Sequence, residues 1–144
     1  MNYRHAFHAG NFADVLKHIV LTRCLIHLRA KPAPFRVIDT HAGVGLYHLS
    51  SPQAEKTGEW ISGVGRLSDV KATAEIELLL APYREAIARV RAFHGDLYYP
   101  GSPEITRGLL RGEDRLILVE KHPEDAARGK EIFAFDGRAK WLER

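Results

Sequence analysis

The stretch that most constrains this chain is an apolar run that ends on an acid and turns at once through glycines. Phe35-Arg36-Val37-Ile38-Asp39 has the length and β-branched content of a strand, and it passes directly into Thr40-His41-Ala42-Gly43-Val44-Gly45. Doubly wound α/β folds use such a strand and glycine-bearing turn to hold a nucleotide-like ligand at the carboxyl edge of a parallel sheet. The two glycines let the backbone approach a ligand closely, with amides free to face its polar groups. His48 stands where a dinucleotide fingerprint needs its third glycine, and no Gly-Lys-Ser/Thr follows, so nicotinamide, flavin and P-loop chemistry are disfavoured. From spacing alone, a tight strand-to-helix turn without a ligand is the competing reading.

A second strand, Arg115 to Glu120, also ends on an acid and is expected beside the glycine turn on the same sheet edge. A carboxylate there can accept both hydroxyl protons of a ribose; a solvated strand-end glutamate is the plainer alternative. Ala139 to Glu143 reads as a third strand, after a helix from His122-Pro123 to about Phe133. Ahead of the first strand, Asn11 to about Arg29 reads as a helix, with Asn11 as N-cap and Asp14 in the first turn. Its apolar residues spread over more than one face, so other elements are expected to cover it on several sides. Between the first two strands, a helical segment from about residue 50 to 97 interrupts the alternation, with Pro82 expected to kink or split its main helix. Ser102 is expected to cap a short helix opened by Pro103; the surrounding Pro-Gly-Ser-Pro lacks the elbow a nucleophilic serine needs.

At 144 residues the chain is long enough for one domain with a core, since a chain of about 150 residues buries roughly 68–70% of its unfolded surface. A single cysteine, Cys24, excludes a disulfide framework and cysteine-based metal sites. No stretch approaches the ~20 apolar residues of a membrane span and no signal-peptide core opens the chain, so a cytoplasmic location is expected. The net charge of +3 is compatible with a polyanionic partner. The N-terminal cluster of Tyr3, Arg4, His5, Phe7, His8, Asn11, Lys17 and His18 mixes cations, aromatics and amides, which suits RNA. A disordered terminus is the alternative. His5 and His8 suggest metal ligands, but no nearby Cys or carboxylate completes a set, so no metal is expected.

Taken together, YRHAFHAGNFADVLKH (Tyr3–His18), VIDTHAGVG (Val37–Gly45), GLYHLSSPQAEKTGEW, YYPGSP (Tyr98–Pro103) and LVEKHPED (Leu118–Asp125) resemble one bacterial family. It comprises the large-subunit (23S) ribosomal RNA adenine methyltransferases, which act on the exocyclic amine with S-adenosylmethionine. The resemblance runs in order over the whole chain. It implies a Rossmann-like methyltransferase sheet, here in its first three strands, with a helical insertion after the first. It places the cofactor near His18, His41, Gly43, Ser102 and Glu120, and the RNA substrate near Tyr3, His5 and Lys17; it implies no protein partner. Such enzymes also use an acid or Asn, two prolines and an aromatic to hold the flipped adenine, and these 144 residues contain no such run. The expectation is the N-terminal half of the enzyme, inactive alone, with Phe35 to Asp39 as an exposed edge prone to self-association. A non-catalytic RNA-binding module derived from the fold is the alternative.

Overall fold

The structure, a computed structural model, describes residues 4–143; Tyr3 lies outside the described residues. After a short 3-10 turn, His5–Phe7, the chain enters α1, Phe12–Arg29, whose start is fixed by the Asn11 side chain accepting from the Asp14 amide at 2.9 Å. Such a cap contributes about 1 kcal/mol. β1 (Arg36–Asp39) follows the prolines, and its entry is pinned by the fully buried Asp114, whose carboxylate accepts from the Phe35 amide at 3.0 Å.

Three parallel strands form the main sheet in the order β1, β4 (Arg115–Glu120), β5 (Ala139–Glu143), with Asp39 opposite Leu118 and Glu120 opposite Glu143. This mixed α/β arrangement agrees with the sequence reading, including the placement of the first strand beside the second. Helix α6, Pro123–Ile132, connects β4 to β5, and a small core of Leu116, Leu118, Phe133 and Ala42 packs on one face of the sheet. Among the described residues β1 pairs with β4 alone, so its other edge is free, and Ile38 is 59% exposed there.

Three features differ from the sequence reading. The glycine turn leads into a strand, β2 (Leu46–His48), which pairs antiparallel with β3 (Tyr98–Pro100); no helix follows it. Three residues are too few to show a period-2 pattern, which is why the pair was illegible. Between β2 and β3 lie α2 (Pro52–Thr57), α3 (Glu59–Ser62), a 3-10 turn and α4, Ala74–His94. α4 is one helix through Pro82, which lies past its second turn, with the Thr73 side chain capping its start. Ser102 caps nothing: α5 runs Ser102–Leu109, its N-cap is Gly101, and Pro103 sits in its first turn. A larger core of Tyr47, Leu49, Tyr83, Ile87, Tyr99 and Ile105 binds α1, α4, α5 and the β2–β3 ladder. No helix of the described residues is long and apolar enough to cross a membrane.

Candidate functional site

The site is built where the carboxyl ends of β1 and β4 meet the N-terminal block. Glu120, half-buried at the end of β4, accepts from the Gly43 amide at 2.8 Å through one oxygen and from the His122 amide at 2.7 Å through the other. The expected neighbourhood of acid and glycine turn is therefore real. Each carboxylate oxygen keeps a second acceptor site for another donor. Gly43 and Gly45 have φ of +60° and +85°, a backbone conformation that other residues adopt at a penalty of about 1–2 kcal/mol. Gly43 also has no room for a Cβ, which would overlap the Tyr47 hydroxyl. Asp39 closes the start of the turn by accepting from the His41 amide at 3.1 Å, and His41 itself is exposed, its Nδ1 3.0 Å from the Thr40 hydroxyl.

Across the turn stands Tyr47, buried on β2, whose hydroxyl accepts from the Val44 amide at 3.3 Å and whose ring meets His5 edge-on at 5.4 Å. From His5 the contacts run to Asp14, which is 2% exposed. Its carboxylate meets His5 Nε2 at 2.7 Å, Lys17 Nζ at 2.7 Å and the Gly10 amide at 3.0 Å, with His18 Nε2 4.0 Å away. Burial works against ionisation of Asp14, but the hydrogen bonds from His5 and Lys17 hold its carboxyl well below the usual range. His8 lies 3.0 Å from Glu59, which also accepts from Asn11, so the fold supplies a carboxylate to each of the two histidines that appeared without one in the sequence.

His18 is completely buried, and burial pushes its imidazole down to about 3, so the ring is neutral. Its Nδ1 is 2.8 Å from the Tyr99 hydroxyl, which is 2.8 Å from the Tyr83 hydroxyl, while Nε2 has no hydrogen-bond partner among the described residues. Burial raises both phenols well above their ordinary range, keeping them protonated. Ser102 is half-buried at the start of α5, just after Gly101, whose amide donates to the Gly45 carbonyl at 2.8 Å. Arg4 ties the N-terminal block to α6, meeting Asp125 at 2.5 Å and Glu124 at 3.1 Å.

The structure thus joins His5, Lys17, His18, Gly43 and Glu120 through one run of contacts, with His41 and Ser102 on its rim. Sequence reasoning missed Asp14 as the hub and Tyr47 and Tyr99 as the walls. The only signal for Asp14 was its place at the helix start, where a carboxylate is ordinary.

The family described as ribosomal RNA large subunit methyltransferase D, RlmJ, matches residues 32–143. The chain belongs to this family. It is 43% identical over 143 residues to the ribosomal RNA large subunit methyltransferase J of Escherichia coli (strain K12), covering 97% of this chain and 49% of that protein. The protein of that name from Haemophilus influenzae is 48% identical over 126 residues, covering 87% of this chain and 44% of its own length. A crystal structure of a Legionella pneumophila protein superposes with a TM-score of 0.76 at 33% identity, over 92% of this chain and 48% of that one. The chain spans about half the length of the curated relatives it matches.

Proposed function

We propose that this chain supplies the cofactor-holding and RNA-facing part of a transferase that methylates the exocyclic amine of an adenine in 23S ribosomal RNA, on a Rossmann-like sheet with a helical insertion after β1. The observation that carries the reading is the continuous path from Lys17 through Asp14, His5, Tyr47 and Gly43 to Glu120, which sets a cationic block beside a sheet edge suited to a nucleoside.

The residues suit S-adenosylmethionine on three counts. Glu120 retains acceptor capacity for ribose hydroxyls. Gly43 clears the backbone for close approach. His18 keeps an unpartnered buried nitrogen. When bound, the cofactor supplies an electrophilic methyl on a sulfonium. Glu120 would hold the ribose, the turn from His41 to Gly45 would underlie the methionine part, and Ser102 and His18 would complete the enclosure. On the substrate side, Asp14 fixes Lys17 so that its ammonium, half exposed, meets phosphate or orients the site, and His5 contributes the adjoining imidazole; Tyr3, outside the described residues, is proposed as a further substrate contact. His18, neutral in the fold, would add no positive charge to a site that receives a sulfonium. No acid-Pro-Pro-aromatic run occurs in the 144 residues, so the chain alone is proposed to bind without transferring.

Calorimetric titration of the chain with S-adenosylmethionine tests this. Glu120→Gln should weaken binding about tenfold or more, the loss of charge-assisted bonds, and no methyl should reach unmodified 23S ribosomal RNA. Unchanged affinity in the variant would remove Glu120 from the site, and turnover by the wild-type chain would overturn the need for the missing motif.

A further inference from the structure

The β2–β3 ladder has two faces, and only one belongs to the site above. Tyr47 and Tyr99 point inward, while Leu46, His48 and Tyr98 open on a groove of about 1110 Å³ between the end of α4, α5 and the end of α6. Four arginines line it (Arg89, Arg107, Arg128 and Arg138) against two carboxylates, Glu104 and Asp136. Two of these arginines are committed to the fold. Arg107 pairs with Glu104, donates to the Ile132 carbonyl and covers the Phe133 ring; Arg138 holds Asp136 and the Leu110 carbonyl. The other two are available. Arg89 is exposed, lies against Gly108 and has no ion pair among the described residues, and the Arg128–Glu131 pair is two-thirds exposed on both sides, which leaves it worth little in water.

Aromatic rings complete the groove. Phe93, His94, Tyr98 and His48 follow one another along one wall, with centroids 4.8, 5.3 and 4.8 Å apart. Phe93 is 84% exposed, and Phe135, on the opposite side, is wholly exposed. Two largely open phenyl rings beside exposed guanidinium groups give the groove the chemistry of single-stranded nucleic acid binding: cations for phosphates and planar faces for unstacked bases.

We propose that this groove is a second RNA-binding surface, on the far side of the β2–β3 ladder from the methyl-transfer site, which grips an unpaired stretch of the substrate RNA by stacking on Phe93 and Phe135 and by phosphate contacts to Arg89 and Arg128. It rests on the reading of the protein as an RNA methyltransferase and adds to it where the RNA is held.

The test is fluorescence-anisotropy titration of the 144-residue chain with a labelled 12-nucleotide single-stranded RNA over a range of salt. The double variant Phe93→Ala/Phe135→Ala should lose about tenfold or more in affinity with the salt slope unchanged. Arg89→Ala/Arg128→Ala should flatten the slope of log K against log salt by about 1.4, the share of two phosphate contacts on a single strand. All four side chains are exposed, so circular dichroism melting should be unaltered. S-adenosylmethionine binding should also persist in both variants, which separates this surface from the cofactor site. RNA affinity equal to wild type in both variants, or absent from the wild type itself, would overturn the groove. Faster sedimentation of the wild type than of the phenylalanine variant, with RNA affinity unchanged, would reassign it to a second copy of the chain. Loss of S-adenosylmethionine binding by Glu120→Gln together with unchanged groove variants would leave the transferase reading standing without this surface.

Discussion

Two stripes of α1 invert the usual rule of burial. Asp14, His18 and Thr22 face inward, at 2%, 0% and 0% exposure, while Phe12, Leu16 and Val20 face outward at 75%, 65% and 53%. The polar stripe is buried because its groups have partners: Asp14 among His5, Lys17 and the Gly10 amide, His18 on Tyr99, and Thr22 on the Ile19 carbonyl of its own helix at 2.8 Å. A hydrogen-bonded polar group can be buried with little net penalty, and a broken set is expensive. The apolar stripe, by contrast, is left largely open to solvent. The expectation that other elements cover α1 on several sides therefore fails for the outer stripe among the described residues. The contrast teaches that a fully partnered polar stripe can be buried on α1 as deeply as its apolar Leu25.

The comparison breaks first at Asp14. Asp14→Ala should destabilise the chain by about 3 kcal/mol, because it removes the partner of the His5 imidazole, the Lys17 ammonium and the Gly10 amide at once, and urea melts would show it. A loss below about 0.5 kcal/mol would mean that the inner stripe is not held by its charge.

Acid sharpens it next. His18 is neutral in the fold, pushed down to about 3 by burial, and takes up a proton near pH 6.5 once unfolded, so acid favours the unfolded chain. Stability should be complete above about pH 6.5 and fall by about 1.4 kcal/mol per pH unit towards the folded value. Asp14, depressed when folded, adds its own loss only below about pH 4. His18→Gln should flatten the slope between about pH 6 and 4; a slope equal to wild type would place the acid response elsewhere.

The smallest effect on stability belongs to the outer stripe. Leu16→Glu should change the melt by no more than about 0.5 kcal/mol, since the side chain is already in water, yet it should reduce concentration-dependent association measured by sedimentation. A large destabilisation would show that the outer stripe is covered after all.

The fold was legible where local physics is strong. The Asn11 cap, the β-branched run before Asp39, the strand from Arg115 to Glu120 and the closing strand from Ala139 all stand where the sequence placed them, and Glu120 does lie beside Gly43. The site was legible in part. His5, Lys17 and His18 belong together because they share one helix and its approach, but nothing local says that Asp14, between them in sequence, would be their common partner. Tyr47 and Tyr99 escaped notice because their strands are three residues long, and the Ser102 cap failed because Gly101 already had the extended backbone that a cap requires.

What the sequence by itself determined is the succession of strands and helices, the glycine turn and the acid after it, because caps, β-branching and glycine freedom act within a few residues. What only the tertiary structure decided is which face of α1 is inside. That choice depends on Tyr99 on β3 and Tyr83 on α4, more than sixty residues along the chain: the Tyr99 hydroxyl comes within 2.8 Å of a histidine that hydropathy alone would have left undistinguished, and the Tyr83 hydroxyl within 2.8 Å of Tyr99.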